Sequence, residues 1–572
     1  MKPRGLWLRA SITGVLILGL FLGLAVRVVY LQLGDHSDLR ETYKQNVVFK
    51  KTLEGSRGRI LDRKGKVLAQ DETRHNVAVD PEFIARFNRP QRVQAALTRF
   101  LHVEPALIGT RIADTERRFH YLEKYVEEQR VEALTRLLKE EELDKGVVFE
   151  EVQTRTYPLG NLLSHVVGFE NRDGVGSAGV ELQMNRYLKG KGGLRVGQKD
   201  GRRREMVSRR QIQIDPQDGA DVTLTVDRYL QFDVEQALEK AVETYQAKGA
   251  WAVVMDVRTG AVLAMASKPD YDLNSFYRAD PESRRNQTLG TVYEPGSIIK
   301  PIIFAAALNE GLVNPTEVID CEWGRWMHRR RSLEDYHPYD KLSAADVLKK
   351  SSNIGTAKIA LRMSEQKMYD YLQSFGFGTP TGIDLPGEER GILHAPRRWD
   401  SLTHSRMAIG HAVTVTCLQM AVAINVIAND GYRVEPFLVK EARTKSGELL
   451  FLRQPDEGVE VISPVTARRM RHLMARITET GGTGRRARFE GYVVAGKTGT
   501  AEKVEPGGGY SKTRNRASFA GFFPAHNPAL TIVVTVDEPK GDRRTGGTVA
   551  APVFAEIARN AAGYLGIPPE GY

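Results

Sequence analysis

Residues 10–26, ASITGVLILGLFLGLAV, carry no charge, and with flanks to Leu33 they reach the ~20 residues a helix needs to cross a bilayer. This constrains the whole chain, because everything after the segment must fold on one side of a membrane. Lys2, Arg4 and Arg9 precede it, so the positive-inside rule makes residues 1–9 a cytoplasmic tail, 10–33 a single anchor, and the chain beyond about residue 34 external. A cleaved signal peptide is the rival reading. The apolar run is longer than a typical signal core, however, and RVVYLQLGD follows it where a small-x-small cleavage site would stand. The mean hydropathy of −0.36 excludes a polytopic membrane protein.

The 572 residues exceed the ~250–300 at which single cores stop growing, so at least two external modules are expected. A net charge of +11 and a pI near 9.3 would suit nucleic acid, but an exported chain meets none. Anionic envelope polymers or lipid headgroups are the partners this charge implies. The densest basic stretch, GRRREMVSRR at 201–210, reads as a solvated loop or hairpin between modules. Two cysteines, Cys321 and Cys417, imply neither a disulfide framework nor a zinc site.

After the anchor, GSRGRILDRKGKVLAQ (55–70) alternates extended apolar residues with turn residues, and YVEEQRVEALTRLLKEEEL (125–143) repeats apolar residues at helical spacing. A mixed α/β module over 45–215 is the expectation. The turn-rich IDPQDGADVTLTVD (214–227) marks a boundary to a second module at 220–565. There GAWAVVMDVRTGAVLAMAS (249–267) reads as two strands about an Arg-Thr-Gly turn, helical patterns follow, and ALTIVVTVDEP (529–539) returns to strand. Strands, helices and strands again predict an α/β (α+β) fold in which first and last strands close one sheet around a helical lobe.

Within this module YEPGSIIKP sets Ser297 three residues before Lys300, at the mouth of the apolar helix IIFAAAL. Residues at i and i+3 share a helix face, and a serine in the first turn lies near unsatisfied N–H groups. The bland alternative is an N-cap with a surface lysine, and Ser364 with Lys367 in a charged helix is a second match of that kind. Ser351-Ser352-Asn353 lies between the helical patterns AADVLKK and IGTAKIALRM, on a turn that can project side chains into a cleft. Lys497-Thr498-Gly499-Thr500 ends a strand-like run, where glycine marks close approach of another backbone. Lys445-Ser446-Gly447 has similar letters but reads as a plain hairpin turn.

SxxK, SxN and KTG in this order form the catalytic set of penicillin-binding proteins and serine β-lactamases. The chain resembles a class B penicillin-binding protein, most closely the division-specific FtsI type. The likeness extends from SRGRILDRKGKVLA and TYPLGNLLSHVVGF through LTVDRYLQ to KTGTAEKV and FAGFFPA. The sequence departs at IGHAVTVTCLQ (409–419), with His-Ala and Thr-Cys where Gly-Gln-Gly-like and Thr-Pro residues are expected. The resemblance implies a penicillin-recognition fold, an antiparallel sheet with a helical lobe, preceded by a pedestal or dimerisation-like domain.

The resemblance further implies that Ser297 attacks the bond between the terminal D-alanines of a peptidoglycan stem peptide, with Lys300 as general base. Lowering the lysine's pKa by ~3 from ~10.4 corresponds to roughly 4 kcal/mol, within reach of burial beside Lys497. Ser351 would relay the proton to the leaving nitrogen and Asn353 hold the substrate backbone. Lys497, Thr498 and Thr500 would bind the terminal carboxylate, and Gly499 would leave room for the peptide. The N–H groups of Ser297 and Thr500 would form an oxyanion hole, a contribution of ~3 kcal/mol per donor. No cofactor or metal is implied. Implied partners are D-Ala-D-Ala stem peptides, β-lactams, the membrane, a polytopic FtsW-type glycosyltransferase and other division proteins, and no nucleic acid. A D,D-carboxypeptidase, an elongation or sporulation relative and a β-lactam-sensing receptor share the motifs. A secreted β-lactamase would be about half as long and would carry a Glu-x-x-Leu-Asn element. A receptor would need further membrane segments and an effector.

Overall fold

The computed structural model describes residues 4–33, 47–53, 55–171, 173–199, 205–206, 208, 210–454, 456–505, 507–542 and 544–570. Lys2 and most of the basic stretch at 201–210 lie outside these residues. Two compact units interleave along the chain: residues 1–55 with 191–217, and residues 56–190 with 218–572.

In the first unit the apolar run forms the helix Arg4–Leu33, whose 30 residues at 1.5 Å each span about 45 Å, more than the ~30 Å hydrocarbon layer. Its leucine, valine and phenylalanine side chains are exposed all round, an arrangement stable in lipid rather than water. A small antiparallel sheet completes the unit: Val48–Leu53 pairs with Gly193–Lys199, from Val48 opposite Gln198 to Leu53 opposite Gly193, and Ile212–Ile214 flanks the same strand.

In the second unit, Val67–Val79 is flanked by the antiparallel strands His120–Glu127 and Val147–Thr156. The helices Pro90–Phe100, Pro105–Ala113 and Glu128–Glu140 pack their apolar stripes onto it through Val93, Leu97, Ile108, Leu134 and Leu138. The helix expected from 125 starts at 128, because Val126 and Glu127 are taken up by pairing with His75 and Arg74. Below this lobe Ile60–Leu61 runs parallel to Asp221–Leu224, which in turn pairs with Val439–Arg443. One sheet therefore ties the segment before residue 190 to the segment after 218. A buried ion network holds together the segment before residue 190: Glu181 accepts from Arg57 and Arg155, each at 2.7 Å, and Asp71 accepts from Arg155 at 3.1 Å. Breaking such a pair by removing one partner costs about 3–5 kcal/mol.

The remaining elements follow the strand–helix–strand expectation. α1 (Arg228–Tyr245) is capped by Asp227, whose carboxylate accepts from the N–H groups of Tyr229 and Leu230. β1 (Gly249–Asp256) and β2 (Val262–Lys268) form the expected hairpin. Helices α2 (Lys300–Asn309), α3 (Ala344–Lys350), α4 (Asn353–Ala360), α5 (Cys417–Ala428) and α6 (Pro464–Thr478) build a lobe. β3 (Ala495–Val504), β4 (Tyr510–Phe523) and β5 (Leu530–Asp537) then close an antiparallel sheet of order β2-β1-β5-β4-β3, and α7 (Ala550–Leu565) ends the fold.

Alternation along β1 sorts the core into two layers. Ala250, Ala252 and Val254 face α1 and α7, while Trp251 and Val253 face the layer containing α5. All twelve residues of α5 are buried, and all but Gln419 and Asn425 are apolar. Its N-terminus explains one sequence departure. Thr416 and Gln419 form a reciprocal capping box, and Cys417 occupies the first helical position where proline was expected. Cys321 and Cys417 are both buried free thiols.

Candidate active site

Ser297 stands in a single 3-10 turn, Gly296–Ile299, which continues directly into α2. Its position depends on two glycines pressed together. Gly296 has φ +55 and donates its N–H to Gly410 O at 3.2 Å, while a Cβ on Gly410, at φ +88, would lie 2.2 Å from Gly296 O. Gly499 is the third close approach. A Cβ there would meet Ile298 Cγ2 at 2.8 Å, so the space beside this glycine is filled by the turn that carries Ser297.

Lys300 begins α2 with its side chain fully buried, and its Nζ donates to Asn353 Oδ1 at 2.7 Å, Ser351 O at 2.7 Å and Ser351 Oγ at 3.3 Å. Burial pushes this ammonium down to about 7 against the opposing pull of Asp335. Lys497, equally buried, donates from β3 to Ser351 Oγ at 2.9 Å and to Thr498 O at 2.9 Å. Burial, and then the charge of Lys300, lower it well below the ordinary lysine range. Two buried amines thus share one hydroxyl.

The serine that joins them is held by backbone geometry. Ser351 caps α3 in the left-handed region, φ +63, and Ser352 caps α4 by accepting from Gly355 N at 2.9 Å. The chain therefore turns sharply between two helices and points Ser351 and Asn353 at Lys300. Thr498 donates to Thr483 Oγ1 at 2.8 Å, and exposed Thr500 accepts from Gly546 N at 3.1 Å.

The structure thus joins Lys300, Ser351, Asn353 and Lys497 directly. It places Ser297 one helical turn from Lys300, with its Oγ in no hydrogen bond among the described residues. The decoys are elsewhere. Ser364 is an exposed N-cap accepting from Lys367 N, and Lys445 donates to Asp218 Oδ2 at 2.7 Å and Ser56 Oγ at 2.8 Å on its hairpin turn.

Sequence reasoning missed Asp335. Its carboxylate accepts from Ser352 Oγ at 2.6 Å, Ile354 N at 3.1 Å and Asn353 N, so it anchors the start of α4. No spacing rule marks this residue, since it reaches the site from a separate hairpin. Also missed was Glu294, beside the nucleophile motif, which accepts from Ala412 N at 2.9 Å and faces His411 Nδ1 at 3.3 Å. His411 Nδ1 lies 2.7 Å from Tyr510 Oη, so the His-Ala pair that departs from the expected sequence is tied to Tyr510 and to Glu294, which is close in sequence to Ser297. Among the described residues no group of three or more His, Cys, Asp or Glu could hold a metal ion.

A buried amine near neutrality, one turn from an unbonded serine hydroxyl and beside a strand rich in N–H donors, is equipped for acyl transfer through serine. Fold and site together define an active-serine enzyme of the penicillin-recognising class. Residues 250–559 match the penicillin binding protein transpeptidase domain and residues 52–224 the penicillin-binding protein dimerisation domain. The probable peptidoglycan D,D-transpeptidase PenA of Neisseria meningitidis is 33% identical over 98% of this chain and 93% of its own. Stage V sporulation protein D of Bacillus subtilis is 33% identical over 100% and 88%, and peptidoglycan D,D-transpeptidase FtsI of Escherichia coli 32% over 99% and 93%. Penicillin-binding protein 3 of Mycobacterium tuberculosis, solved with aztreonam, superposes with a TM-score of 0.70 at 26% identity, over 91% of this chain and 98% of its own. The chain belongs to the class B penicillin-binding proteins and is a peptidoglycan D,D-transpeptidase.

Proposed function

We propose that Ser297 is the acylated nucleophile and that the protein cross-links stem peptides in septal cell-wall synthesis. The observation that carries the site assignment is the buried Lys300, held near neutrality and bonded to both Ser351 and Asn353. Neutral Lys300 takes the proton as Ser297 Oγ attacks the carbonyl of the penultimate D-alanine. The oxyanion is met by the N–H groups of Ser297 and Thr500. Ser351 passes a proton to the departing D-alanine nitrogen, and the acyl-enzyme remains. An acceptor amine then attacks, loses its proton and leaves as the cross-linked amide, restoring the serine. Lys497, Thr498 and Thr500 receive the substrate's terminal carboxylate, whose charge favours the protonated form of Lys497. A β-lactam carries a carboxylate in the corresponding place and acylates the same serine, in keeping with the aztreonam complex of the mycobacterial relative.

The pedestal residues before 215 position the catalytic domain outside the inner membrane, with the N-terminus in the cytoplasm as the flanking Arg9 favours. The polytopic FtsW-type glycosyltransferase docks on the anchor at Gly19 and Gly23, a small-xxx-small pair that lets transmembrane helices approach closely. The likeness to FtsI supports the septal assignment, and depletion of the protein in cells tests it. Depleted cells should filament without septa, and loss of rod shape would oppose a septal role. The biochemical test supplies purified protein with labelled lipid-linked precursor polymerised by a glycosyltransferase. Cross-linked dimers are the expected product, and trimmed monomers alone would make the enzyme a carboxypeptidase.

A further inference from the structure

Asp335 belongs to a segment whose remaining residues the reaction does not use. Strands Arg325–His328 and Arg331–Glu334 form a hairpin in which Arg325 faces Glu334, Met327 faces Ser332 and His328 faces Arg331. The two connecting residues, Arg329 and Arg330, have φ +47 and +63. A two-residue turn of this hand is formed most readily by Asn-Gly, since side chains resist positive φ. Two arginines nevertheless occupy it. Arg329, Arg330 and Arg331 are exposed, and among the described residues none has an acidic partner. At the hairpin's base Trp323 and Tyr336 are 70% and 86% exposed, on segments tied by the N–H of Asp335 donating to Gly324 O at 3.0 Å.

This charged, aromatic element is fixed to the catalytic turn. Glu334 O accepts from Asn353 Nδ2 at 2.8 Å, and the next residue, Asp335, caps α4. Whatever engages the hairpin therefore acts on a structure that shares hydrogen bonds with Asn353, one bond from Lys300. An unpaired basic tip repels itself and gains nothing in isolation. A ligand supplying anions beside flat, partly apolar rings would satisfy both parts of the surface, arginine taking carboxylates and the aromatic faces taking sugar rings.

The geometry points to the hairpin as a binding arm for the peptidoglycan strand outside the acyl-donor cleft. Arg329, Arg330 and Arg331 meet carboxylates of neighbouring stem peptides, and Trp323 and Tyr336 meet the glycan. The inference rests on the transpeptidase reading and extends it from the scissile peptide to the polymer. A β-lactam, having no glycan, bypasses the arm.

The test compares the full-length detergent-solubilised protein with its R329N/R330G variant, which gives the turn residues suited to it and so does not endanger folding. Two readouts are needed: fluorescent penicillin acylation, and binding of un-cross-linked pentapeptide glycan strands over a range of salt. Acylation should be unchanged, while strand affinity falls several-fold and its salt dependence flattens. Strands with amidated carboxylates should bind wild type and variant alike. W323A should weaken binding of both strand types. Equal affinity of wild type and R329N/R330G for free-acid strands would overturn the inference. Failure of the transpeptidase reading would be seen separately, as a wild-type protein that penicillin does not acylate.

Discussion

At the residue scale the site depends on how one lysine is kept near neutrality. In the proposed mechanism Lys300 must be unprotonated to accept the serine proton, so acylation by a β-lactam should rise with pH through about 7 and level off above it. Asp335 opposes that fall in pKa, so Asp335→Asn should move the midpoint of the pH–rate profile lower. The same change loosens the cap on α4 and should destabilise the protein by about 1–3 kcal/mol. A stability loss with an unmoved midpoint would remove Asp335 from the tuning of Lys300. Ser364 provides the contrast. As an exposed N-cap its replacement by alanine should lower stability by about 1 kcal/mol and leave acylation intact, which stopped-flow labelling and thermal melts together would show. Ser297, Lys300 and Lys497 stood out in the sequence as candidates because their motifs bring a proposed chemistry with them. Asp335 did not, because an isolated acid eighteen positions before Asn353 has no signature until the hairpin folds back.

At the scale of elements, the catalytic turn is shaped by contacts that sequence periodicity does not encode. The sheet's strands and its order of first and last partners could be read from alternating apolar residues and glycine turns, because those patterns are local. The close packing of Gly296 on Gly410 joins segments more than a hundred residues apart and leaves no periodic trace. Gly410→Ala places a methyl 2.2 Å from Gly296 O at a backbone φ of +88, so the turn bearing Ser297 must shift. Acylation should fall by about 10²-fold, the penalty of displacing a reacting group by ~1 Å, while far-UV circular dichroism stays native. An alanine variant acylated at the wild-type rate would show that the turn has another support.

At the scale of the whole molecule, the anchor was the plainest feature of the sequence, since a long uncharged apolar run has few other uses. The interleaving of compact units was not legible. Residues 191–217 join the strand beside the anchor while the segments on either side of them belong to the other unit, a long-range pairing that composition does not mark. The shared sheet of Ile60–Leu61, Asp221–Leu224 and Val439–Arg443 is of the same kind. Across this architecture the proposed reaction places the acyl group on a single serine, Ser297, at the mouth of α2. The direct measurement is peptide mapping of the intact chain by mass spectrometry after incubation with a penicillin. One covalent adduct is expected, on the peptide containing Ser297 and absent from the Ser297→Ala variant. An adduct on the peptide containing Ser364, or one that persists in Ser297→Ala, would contradict the proposed reaction.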